Sequence, residues 1–122
     1  MTLGENLTWE IGVGTLHGKP VPRSFATTPD TRTSIEIIGK PGQVKQIVVA
    51  GQMIDEATAV QAAQYMAIVM RLIVPQWTGV DAWLAESLRH VKRKPQAIRM
   101  HGWKIGMRWI PELSTVALQA TH

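Results

Sequence analysis

The stretch that most constrains this chain is WKIGMRW, Trp103 to Trp109. Its odd positions, Trp103, Ile105, Met107 and Trp109, are large and apolar. Its even positions, Lys104, Gly106 and Arg108, are cationic or carry no side chain. Alternation with period two places every large residue on one face of an extended segment and the cations on the other. That is the signature of a half-buried strand in a sheet with one wet face. Upstream, Arg99 and His101 share the apolar parity. Either the strand starts beyond the edge of the core, or a bulge at Gly102 changes the register. PELS (111–114) reads as the following turn, and TVALQAT (115–121) returns with Val116 and Leu118 pointing together.

A one-sided sheet needs a partner layer, and the middle of the chain supplies it. From Asp55 to Val74 there is no Gly or Pro and alanine is frequent. Asp55 and Glu56 stand where a helix N-terminus favours negative charge. Tyr65 to Val74 is apolar nearly all round, the pattern of a buried helix, with Arg71 inside it. Over the whole helix, a run of only about 18 residues, two glutamines (Gln61 and Gln64) and that arginine argue against a membrane span. Pro75 ends the helix. Thr78-Gly79-Val80-Asp81 then has the capping-box spacing, and a second helix is expected to run to about Lys92. Val80, Leu84, Leu88 and Val91 line its inner face with Trp83 beside them. Lys92, Arg93 and Lys94 complement the dipole of its last turn before Pro95 stops it.

The N-terminal half reads as strands and one long loop. LTWEIGVG (7–14) alternates, with Trp9, Ile11 and Val13 on one face. TSIEIIG and VKQIVVAG flank a Pro41-Gly42 pair suited to a type II turn, which predicts a hairpin. Residues 17–34, with three prolines and four threonines, are expected to form a long, mobile loop whose Phe25 plugs the edge of the core. The expectation is one α+β domain over 1–122: a twisted antiparallel sheet of about five strands with two consecutive α-helices packed on one face, in the order β-ββ-αα-ββ.

Chemistry is sparse. The absence of cysteine excludes disulfides and thiolate sites. GVGTLHGK (12–19) resembles a phosphate-binding loop, but the spacing to Gly18-Lys19 fails from both Gly14 and Gly12, and Pro20 follows. The histidines 17, 90, 101 and 122 have no metal-ligand spacing. Asp55, Glu56 and Asp81 are explained by helix starts. No catalytic set, cofactor site or metal site is read, so a non-catalytic protein is favoured. With no basic start followed by an apolar run, no signal peptide is read and a cytoplasmic location is favoured.

Two function classes follow. The first is a small binding or assembly module working through protein–protein contacts, homodimeric ones included, with Phe25, Trp77, Met66 and Met70 as candidate partner contacts on an unusually apolar first helix. The second is a nucleic-acid binder using the cationic 89–108 segment. The net charge of +4 comes from only 18% charged residues, unevenly placed. Lys92, Arg93, Lys94, Lys104 and Arg108 are its candidate phosphate contacts. A pocket shared by Trp77, Phe25 and His101 would indicate a third class, a small-molecule-binding domain.

Overall fold

The computed structural model describes residues 7–40 and 42–122. In chain order it contains β1 (Thr8–Leu16), β2 (Lys19–Thr27), β3 (Thr33–Lys40), β4 (Gln43–Gln52), α1 (Glu56–Ile73), α2 (Val80–His90), β5 (Gln96–Met100), β6 (Trp103–Ile110) and β7 (Thr115–Thr121). The strands form one antiparallel sheet in the order β1-β2-β3-β4-β7-β6-β5. The α+β class and the helical pair are as the sequence suggests. Among the described residues the sheet has seven strands rather than about five, because two segments form strands that their local pattern conceals.

The first is 17–34. Most of it is β2, with a turn at His17-Gly18 before it and an irregular stretch, Thr28–Arg32, after it. Its prolines are compatible with a strand because β3 pairs only with Arg23–Thr27. Pro20 and Pro22 therefore have β1 on one side and no strand on the other, where a missing N–H leaves no ladder bond unmade. The second is the run before Trp103. His101 (φ 49°) and Gly102 (φ 86°) form a two-residue turn, separating β5 from β6. Positive φ at both central residues is the hairpin geometry whose twist matches that of the strands. The turn, not a bulge, resets the parity. His17 (φ 52°) and Gly18 (φ 77°) repeat the same device between β1 and β2, so the phosphate-loop lookalike is a strand end and its turn.

The expected hairpin of β3 and β4 is present, with Gly42 at φ 79°, while Pro41 lies outside the described residues. Asp55 caps α1: its carboxylate accepts from the Thr58 N–H at 2.8 Å, and the Thr58 hydroxyl accepts from the Asp55 N–H at 3.0 Å. The second helix differs from expectation. Its N-cap is Gly79 with no side-chain bond, and it ends at His90. Asp81 is drawn away from the cap by Arg71, whose guanidinium reaches both carboxylate oxygens at 2.5 and 2.6 Å. Arg71 is thus exposed and paired with α2, where the apolar run implied burial.

The core lies between α1 and the middle of the sheet. Ile35, Val49, Leu118 and Met107 occupy one row across β3, β4, β7 and β6 on the face that α1 covers. Met66 and Met70 fill the helix side of that layer at 0% exposure. Helix and sheet approach closely at Gly51, where an added Cβ would overlap the Cβ of Ala62 and stand 3.2 Å from its Cα. Gly51 is therefore the position that lets α1 lie flat on β4. Among the described residues no helix is long and apolar enough to cross a membrane.

Candidate functional site

Two surfaces stand out, at opposite ends of the sheet. At one end β1 is, among the described residues, an edge strand bonded only to β2. Its Trp9, Ile11 and Val13 point to the helix-bearing face, but they lie beyond the cover of α1, which rests on β4 and β3. They are 39%, 87% and 74% exposed, an unbroken apolar row on an open edge. Such edges are normally blunted by Lys, Pro or a bulge. TWEIGVGTL has none of these, and its pairing with β2 is regular over all nine residues. Val13 and Thr15 stand opposite Pro22 and Pro20, which have no N–H to give. Those β1 residues, and by alternation Trp9 and Ile11, turn their own backbone groups to the free edge.

At the other end, the helix-free face of β5, β6 and β7 is cationic. Arg99 and Lys104 are directly opposite each other on β5 and β6, and Arg108 lies four residues along β6. Between them runs a row of small side chains, Ala97 and Gly106, closed by Gln119 on β7. The hollow so formed measures about 520 Å³. No Asp or Glu occurs in β4, β5, β6 or β7. None of the three cations has an acidic partner among the described residues.

The sequence candidates are redistributed by these facts. Lys104 and Arg108 share the open face as expected, and Arg99 joins them because the His101-Gly102 turn shifts its parity. Lys92 does not: its ammonium sits 4.7 Å over the Trp109 ring, which belongs to the helix-bearing side. Arg93 is 3.0 Å from the His90 imidazole and, with Lys94, lies just beyond the end of α2. The basic segment is therefore split between two faces. Met66 and Met70 are enclosed by the chain's own core and have no surface to offer, which corrects their assignment as partner contacts. Trp77 is likewise inside, 6% exposed and tilted against Trp83 at 5.6 Å.

Phe25 is half-buried on β2, under the Arg23 guanidinium at 4.9 Å, and Arg23 in turn pairs with Glu36 at 2.6 Å. Trp77 belongs to the core on the helix-bearing side, whereas Phe25, opposite Glu36, stands on the other face of the sheet, so they share no hollow with His101. His122 is held to the sheet by its N–H to the Lys45 carbonyl (2.9 Å) and by contact of its ring with Trp103 at 4.9 Å. Among the described residues no group of three or more His, Asp or Glu is placed to hold a metal. Searches against family models, curated proteins and solved structures found no match.

Proposed function

We propose that this protein is an assembly module that joins a second copy of itself edge to edge through β1. The observation that carries this reading is the exposed Trp9-Ile11-Val13 row on an unblunted edge strand. Antiparallel pairing of two identical strands is isologous, so one register must satisfy both copies. Centring it on Ile11 sets Ile11 against its own copy and Trp9 against Val13, so each apolar side chain in the row meets another. Centring it on Glu10 would instead oppose two carboxylates, which is unfavourable.

In the Ile11 register the Glu10 of one copy faces Gly12 of the other. Gly12 is paired on its inner side with Arg23, and a Cβ there would meet nothing within 4 Å. A carboxylate can therefore reach across a bare backbone position toward a guanidinium. Pairing joins two seven-stranded sheets into one. Full burial of an apolar side chain contributes about 1.5–3 kcal/mol, and association costs at least about 4 kcal/mol in lost freedom. Six partly buried side chains plus ladder bonds place the dimer in the micromolar range, where about −8 kcal/mol is needed.

Sedimentation across concentrations around that range tests the reading. The expected mass rises from 13.5 kDa toward twice that value. Ile11→Lys places like charges directly opposite each other and holds the protein monomeric, while at concentrations too low for dimerisation its thermal melt matches the wild type, because Ile11 of the single chain is already exposed. A wild type that stays monomeric throughout, or an I11K variant that dimerises equally well, refutes it.

A further inference from the structure

We infer that the helix-free face of β5, β6 and β7 is a binding site for the phosphodiester backbone of a single nucleic-acid strand, laid across the sheet over Gly106. This rests on different residues from the assembly edge and stands or falls apart from it. Lys104 makes one bank of the hollow and Arg108 the other, with Arg99 directly opposite Lys104 just outside it. At a rise of about 3.3 Å per residue, the banks stand roughly 13 Å apart along β6. Long cationic side chains converging from both banks can hold one extended phosphate chain between them. The floor is flat because Gly106 contributes no side chain and Ala97 only a methyl group, so the polyanion can approach the sheet closely. Gln119 and Thr121 supply neutral hydrogen-bonding groups on the β7 side of the same hollow.

Charge complementarity is what selects this occupant. Lysines and arginines on an ordinary surface are interspersed with carboxylates, and three arginines elsewhere have such partners: Arg23 has Glu36, Arg71 has Asp81 and Arg89 has Glu86. From Ser87 to Pro111 the chain has no acidic residue. An unneutralised row of three cations raises the local concentration of a polyanion and is most attractive at low salt. The face carries no exposed aromatic ring among Ala97, Arg99, Lys104, Gly106, Arg108, Gln119 and Thr121. Base stacking therefore contributes nothing, and the site reads the backbone without sequence preference.

The test is fluorescence anisotropy of a labelled single-stranded DNA 20-mer and its RNA counterpart over a salt series. Three phosphate contacts on a single strand give a slope of log K against log salt of about −2. Replacing Lys104 and Arg108 together by Gln leaves one contact, and the slope is expected to fall to about −0.7 with weaker binding. Replacing Arg93 and Lys94 by Gln removes the same formal charge from outside the site and should leave the slope near −2. Gly106→Val fills the floor and is expected to weaken binding with all cations kept. Circular dichroism melts of each variant separate loss of fold from loss of contact. No binding at low salt overturns the inference, as does equal loss in the two charge-matched variants. Preferential binding of anionic lipid vesicles or inorganic polyphosphate over both oligonucleotides also overturns it.

Discussion

Replacing Gly51 by Ala should destabilise the protein, and the contact with α1 sets both the sign and the size. Gly51 has ordinary strand backbone with no positive φ, so by conformational entropy alone an alanine there would stabilise by about 0.4–1 kcal/mol. The added methyl, however, overlaps Ala62 Cβ and stands 3.2 Å from its Cα, while carbon atoms prefer about 3.5–4.0 Å. Neither obstacle is the far end of a flexible side chain, so the helix itself must lift by roughly 1 Å. That lift opens the layer holding Met66 and Met70. Overpacking of this kind costs about 1–3 kcal/mol, and the rigid neighbour argues for the upper part of that range. For a domain this size the melting temperature should drop by roughly 6–12 °C.

Ala62→Gly is the matching change. Alone it costs about 1 kcal/mol of helix propensity, but combined with Gly51→Ala it removes the collision. The double variant is therefore expected to be more stable than Gly51→Ala alone, with a coupling of about 1–2 kcal/mol. Urea denaturation of the four proteins completes the cycle. Strict additivity, or a neutral Gly51→Ala, would falsify the close-approach argument.

Two further predictions concern turns and acid. Gly102→Ala forces a Cβ into the left-handed region at φ 86° and toward His122 Nε2 at 3.4 Å, so it should cost about 1–2 kcal/mol by urea denaturation, unlike the same change at Gly12. Asp30 and Asp55 have folded pKa values held below the ordinary 3.8. Asp30 is lowered first by the Thr28 hydroxyl and then by the Arg32 N–H, Asp55 by the Thr58 N–H and hydroxyl. Their stabilisation is thus fully present above the unfolded value and is lost as pH falls through the lower folded values. Thermal melts should decline below about pH 4, and the decline should be shallower in a D30N/D55N variant.

The readable parts of this fold were those in which local pattern and tertiary role agree. The β6 alternation, the Asp55 start of α1 and the Pro75 and Pro95 breaks each follow from one short window. β2 was hidden because Pro20 and Pro22 look like strand breakers, and only the partial reach of β3 along β2 makes them harmless. The β5–β6 turn did leave a trace, the parity conflict at Arg99 and His101. A His-Gly pair, rather than Asn-Gly, obscured its meaning. The fates of Arg71 and Trp9 depend on how far α2 and α1 extend over their neighbours, a distance absent from any local window. The same holds for the candidate surfaces: Lys104 and Arg108 could be paired by parity, whereas the separation of Lys92 from them requires knowing where Trp109 lies.

The place of β7 in the sheet bears on how the molecule comes together in time. β7 is the last strand in chain order, yet it is the seam between the β1–β4 meander and the β5–β6 hairpin. Until Thr115–Thr121 is in place, β4 presents a bare ladder and the two halves have no strand in common. The β4–β7 register joins Gln46 to Thr121 and Gln52 to Thr115, a span that local turns cannot shorten. Closure of such a distant pair is an entropic toll levied late, so this domain should fold slowly for its size. During synthesis the N-terminal meander would wait with β4 open at one side and β1 at the other.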